Sequence, residues 1–60
     1  MEQLFEKDGD IASVTGCMVL GRYRYRAQIG GRTRLFATFL GAIGYMNRNG
    51  YYAKFDAKRQ

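Results

Sequence analysis

The sequence predicts an all-β fold: a small, strongly twisted antiparallel sheet of four or five strands, or a partly open barrel made from the same strands. Three observations carry this. Glycines fall at 9, 16, 21, 30, 31, 41, 44 and 50 with no proline among them, leaving runs of the length that strands use. The segment "RYRYRAQI" sends arginine and glutamine to one side and tyrosine, alanine and isoleucine to the other, the two-residue alternation of a half-buried strand. Asn49-Gly50 is the preferred pair for a two-residue hairpin turn.

The chain opens on an acidic segment, 1–10, which reads either as a short helix stopped by Gly9 or as a strand turning at Asp8-Gly9. Next, "DIASVTGCMVL" reads as a strand bent at Gly16 and running through Gly21 into the arginine strand, since glycine within a strand often marks a bulge or corner. For the hairpin that follows, a two-residue Gly30-Gly31 turn sets Ile29 opposite Arg32 and makes the apolar faces disagree. A three-residue loop, Gly30-Gly31-Arg32, pairs Ile29 with Thr33, Ala27 with Leu35 and Tyr25 with Ala37. This register, preferred because a one-residue slip exchanges the faces of a strand, groups Arg22, Arg24, Arg26, Gln28, Arg34, Phe36 and Thr38. Tyr23 and Tyr25 then belong to the apolar face.

The last hairpin, about Asn49-Gly50, pairs Arg48 with Tyr51, Met46 with Ala53 and Gly44 with Phe55. It sets Tyr52, Lys54 and Asp56 beside Tyr45 and Asn47. The alternative is an α+β fold with a helix around 33–46, where Leu35, Phe36, Phe39, Leu40, Ile43 and Met46 lie near a 3.6-residue period. Gly41 and Gly44 weigh against it, each costing a helix about 1 kcal/mol relative to alanine. The size and twisted-sheet pattern resemble those of small SH3-like or OB-like barrels, a likeness of architecture that implies no function.

Sixty residues make a single domain, 1–60, and so short a chain buries only about 60% of the surface its unfolded form exposes. The apolar share of 47%, with five tyrosines and four phenylalanines, still marks a folding chain rather than a disordered one. Small domains without disulfides commonly gain stability by oligomerising, so a homodimer is a further prospect. One cysteine and an acidic start, opposite in charge to a secretory signal, point to a cytoplasmic setting. The uncharged stretches 11–21 and 35–47 fall short of the roughly 20 residues that span a bilayer.

Catalytic groups are scarce. Histidine is absent and the five acids sit mainly in the first ten residues, whereas acid–base chemistry needs a titrating group beside the substrate. Cys17 reads as a small buried hydrophobe and Asp8-Gly9-Asp10 as a turn. No nucleotide-binding loop, metal-ligand spacing or cofactor motif is present. The expectation is a protein that is not an enzyme.

Charge is the distinctive feature. Residues 1–10 sum to −3 and residues 11–60 to +8, and segregated charge creates a field that steers association. Residues 21–34, "GRYRYRAQIGGRTR", hold five arginines and no acid. In an extended strand Arg22, Arg24 and Arg26 project to one side about 6.8 Å apart, a spacing comparable to that of phosphates along a nucleic-acid strand. Arg34 joins them across the hairpin and Arg32 from its loop. Phe36, Tyr45 and Tyr52 are candidates to stack bases beside them, with Arg48 and Lys54 adding charge from the last hairpin. The expected function is a nucleic-acid-binding accessory module, for single-stranded or duplex ligand, with little sequence specificity. The alternative is a small regulator or inhibitor that presents the same arginines to an acidic protein surface.

Overall fold

Four strands follow one another as an antiparallel meander: β1 (Glu2–Lys7), β2 (Asp10–Val19), β3 (Arg22–Ile29) and β4 (Arg32–Phe36). A helix, α1 (Phe39–Arg48), then carries the chain back so that β5 (Tyr52–Ala53) pairs with β1. The computed structural model describes residues 2–54, and the strand order is β4-β3-β2-β1-β5. The five-stranded antiparallel sheet is present as an open sheet, accompanied by one short helix that starts later than the 33–46 alternative placed it.

Three tight turns set the meander. Lys7 pairs with Asp10, so the opening segment is a strand turning at Asp8-Gly9. Val19 pairs with Arg22, so Leu20-Gly21 is also a two-residue turn, and β2 ends there instead of running on into the arginine strand. Ile29 pairs with Arg32, Ala27 with Arg34 and Tyr25 with Phe36. This corrects the three-residue loop: the turn is Gly30-Gly31, and β4 lies in the register that the apolar pattern disfavours.

The physical reason lies at the edge of the sheet. β4 has one strand neighbour, and an edge position lets a long side chain keep its charge in water while its stem covers apolar surface. The Arg34 guanidinium sits 5.6 Å from the Phe36 ring centroid and 5.4 Å from that of Tyr45, a cation–π arrangement that holds an arginine on the helix side. Leu35 takes the opposite side and remains half exposed.

One face of the sheet is covered. Phe5, Ala12, Val14 and Ala27 bury against Ala42, Met46 and Tyr51, and Phe39, Ala42, Ile43 and Met46 form the matching helical stripe at i, i+3, i+4 and i+7. Tyr25 bridges to the start of the helix, its ring 5.6 Å from Phe39 and 5.3 Å from Tyr23. The helix begins at Thr38, whose Oγ1 accepts the Gly41 N–H at 3.0 Å. Gly41 is admitted because a Cβ there would lie 3.2 Å from Thr38 Oγ1 and 3.4 Å from Phe36 Cδ2, so the absent methyl allows the helix to sit close on β4.

Asn49-Gly50 closes the helix, which corrects the hairpin expected there. The Gly50 N–H donates to the Asn47 carbonyl at 3.0 Å and the Tyr51 N–H to that of Met46 at 2.9 Å, the paired bonds of a helix-terminating Schellman motif. Gly50 has φ 86°, a left-handed value that suits a cap as well as a tight hairpin. The cap prevails because it drops Tyr51 into the core beside Met46. Met46 is therefore helical and does not pair with Ala53, which pairs with Phe5. The expected positions of Phe55 and Asp56 lie outside the described residues. Among the described residues no helix is long and apolar enough to cross a membrane.

Candidate nucleic-acid interface

Strand alternation and the observed register decide which side chains share the uncovered face. β3 contributes Arg22, Arg24, Arg26 and Gln28, paired with Val19, Cys17, Thr15 and Ser13 of β2. β4 adds Leu35 opposite Arg26 and Thr33 opposite Gln28. Thus the three arginines stand in line on the face that α1 leaves open, about 6.8 Å apart. No acid lies on this face of β2, β3 or β4. Among the described residues the one ion pair is Lys54 Nζ with Glu6 Oε1, 3.8 Å apart at the opposite edge. Arg24 Nη1 donates to the Tyr23 carbonyl at 3.1 Å, and Arg22 and Arg26 are exposed.

Arg34 and Phe36 do not join this row. With Arg32 they occupy the helix side of β4, because Ala27 and Tyr25, their partners, face the helix. Tyr45 lies with them, its ring 5.4 Å from Phe36. Gly41, Tyr45 and Arg48 follow at i, i+4 and i+7, a single helical stripe, and the contacts of Gly41 and Tyr45 with Phe36 turn that stripe toward β4. The arginines therefore form two rows on opposite sides of the β3–β4 ribbon: Arg22, Arg24 and Arg26 on one, Arg32 and Arg34 on the other, with Arg48 in the adjoining last helical turn.

Tyr52 does reach the open face, since it pairs with Glu6, and is 61% exposed. It stands three strands from β3, about 14 Å at the usual strand spacing. Lys54 is at the same distant edge, paired with Glu6. The expected cluster of arginines with stacking aromatics thus separates into an arginine row without aromatics and an arginine–aromatic seam behind it.

The acidic start does not fold over the arginines as a screen. Glu2 and Glu6 lie on the open face of β1, with β2 intervening before β3. The cross-strand series Glu2–Thr15–Arg26 runs from negative to positive across one sheet. Cys17, expected to be buried, is half exposed on the open face opposite Arg24. The turn residue Leu20 escaped the sequence reading altogether: it is 98% exposed at φ 51°, in a conformation that L-residues with bulky side chains avoid. Only a hairpin assignment at Leu20-Gly21 could have flagged it.

Comparison with protein families, characterised proteins and solved structures finds no match for this chain.

Proposed function

We propose that the open face of the sheet binds nucleic acid, with Arg22, Arg24 and Arg26 holding phosphates. The observation that carries this reading is the alignment of three arginines on the open face of the sheet, where β2, β3 and β4 bring no acid beside them. Parallel like charges repel by some tenths of a kcal/mol per close pair, and a merely solvated face ordinarily mixes signs. A polyanion relieves that repulsion. Arginine suits the task because its planar fork can give a phosphate two parallel hydrogen bonds.

Ser13, Thr15, Gln28 and Thr33 add short donors and acceptors around the row. They serve contacts to phosphate and sugar oxygens, which fix position without selecting sequence. The reading is that of a binding module.

Fluorescence anisotropy against labelled nucleic acid, from low to near-physiological salt, tests the proposal. Affinity should fall linearly in log–log form, and the triple variant R22A/R24A/R26A should lose binding while keeping its circular dichroism spectrum. Failure to bind at low salt would overturn the reading and direct the same arginines to an acidic protein surface.

A further inference from the structure

The two arginine rows carry the reading further. We infer that the ligand is a duplex, gripped across the β4 edge so that the open-face row holds one phosphate backbone and the Arg32/Arg34 row holds the other. This rests on the proposed function and names its substrate class.

A single strand offers one line of phosphates. It can follow Arg22, Arg24 and Arg26, but Arg32 and Arg34 project from the far side of the same ribbon. A double helix instead presents two backbones held apart across a groove, and in B-form DNA the major groove admits a two-stranded ribbon. Arginines on both sides of one ribbon match that geometry. Arg34 is held in place for it by Phe36 and Tyr45, and Arg32 extends the row toward the exposed Gly30-Gly31 turn.

The position of the aromatics argues the same way. Binding to single strands relies on bases stacking on aromatic faces next to the cationic groups. Here no aromatic side chain of β2, β3 or β4 shares the face of Arg22, Arg24 and Arg26, while Phe36 and Tyr45 are engaged with each other and with Arg34. A ligand whose bases are already stacked needs no such platform. The acids complete the polarity: Glu2 and Glu6 lie on β1, Asp8 in the β1–β2 turn, and Asp10 at the start of β2, where it accepts the Tyr51 hydroxyl, so β3 stands between every described acid and the β4 edge.

Counterion release turns this into a measurement, since each neutralised phosphate contributes about −0.9 to the log–log salt slope on duplex DNA and about −0.7 on a single strand. The probes are a short duplex DNA, a duplex RNA of the same sequence, and each separate strand, read by anisotropy over a salt series. The variant R32Q/R34Q should make the slope shallower by about 2 on at least one duplex and leave the single-strand slopes unchanged. R34K keeps the charge and should restore most of the duplex slope, separating loss of a phosphate contact from loss of packing.

An equal change on single strands, or no change on either duplex, would overturn the inference while binding through Arg22, Arg24 and Arg26 stands. Absence of binding to all probes would remove both. A slope restricted to one duplex type names the helix form recognised.

Discussion

The two faces of the sheet follow opposite rules. Beneath α1, small residues at Ala12 and Ala27 let the helix approach, and Phe5, Val14, Met46 and Tyr51 fill the space without a buried charged side chain. On the open face, Leu4, Ile11 and Leu35 stay 40–50% exposed, Leu35 directly opposite Arg26, and the arginines of β3 have no carboxylate partner among the described residues. The covered face is optimised for the fold itself. The bare face keeps a row of like charges and exposed apolar side chains, the surface that the proposed ligand would cover.

Stability measurements can break that contrast. The largest effect belongs to Met46→Ala, which empties a fully buried position at a cost of about 2–5 kcal/mol. Against a total of about 3–9 kcal/mol for a domain of this length, that leaves much of the chain unfolded in a urea titration. Leu35→Ser on the bare face should change the unfolding free energy from the same titration by less than about 0.5 kcal/mol. Comparable losses at the two positions would erase the distinction between the faces.

Gly50→Ala comes next. It puts a side chain on a residue at φ 86° whose Cβ would lie 3.1 Å from Lys7 Cε, and the left-handed conformation alone costs about 1–2 kcal/mol. A lower thermal midpoint with weaker helical dichroism is expected. A neutral outcome would mean that the Schellman cap does not hold Tyr51 in the core.

Leu20→Asn should have the opposite sign. Asparagine tolerates the left-handed turn position, and nothing packed is lost from a side chain that is 98% exposed, so a gain of up to about 1 kcal/mol is expected. Nothing in the fold of the isolated chain explains leucine at this site. A loss of stability would show that Leu20 makes a contact within the molecule.

The smallest effect concerns pH. Tyr51 donates its hydroxyl to Asp10 Oδ2 at 3.2 Å, and burial, then this bond and the charge of Asp10, hold its phenol above the ordinary value of 10.0. An unfolded Tyr51 therefore ionises first. Above pH 10 the unfolded state binds fewer protons and stability falls as pH rises. Tyr51→Phe should show a shallower fall in that window than the parent chain. An identical slope would mean that Tyr51 is not protected in the folded state.

Much of the covered-face pattern was legible in the sequence. On β3, Tyr23, Tyr25, Ala27 and Ile29 were separable from Arg22, Arg24 and Arg26 because side-chain alternation is a covalent property of an extended chain. The hairpin after β3 followed from Gly30-Gly31, although its loop is one residue shorter than expected; Asp8-Gly9 left helix and strand open, and Leu20-Gly21 carried no local signal strong enough to interrupt the strand. Arg34 and Phe36 were placed on the wrong side because apolar matching was applied to an edge strand, where an arginine can lie over aromatic rings and still reach water. Tyr45 followed Phe36, since both belong to a cluster assembled by α1.

By itself the sequence determined the strand period, the hairpin that follows β3 and the acid-poor arginine row of β3, all set within a few residues by chirality, alternation and turn chemistry. Only the tertiary structure decided whether Asn49-Gly50 would turn a hairpin or end a helix, and to which side of the sheet β4 would send its arginines. A left-handed glycine serves both geometries locally, and a one-residue shift of register costs little in local terms. Burial of Tyr51 beside Met46 settled the first, and the stacking of Arg34 on Phe36 and Tyr45 settled the second, because each is a contact between residues that meet only when the sheet and helix are packed together.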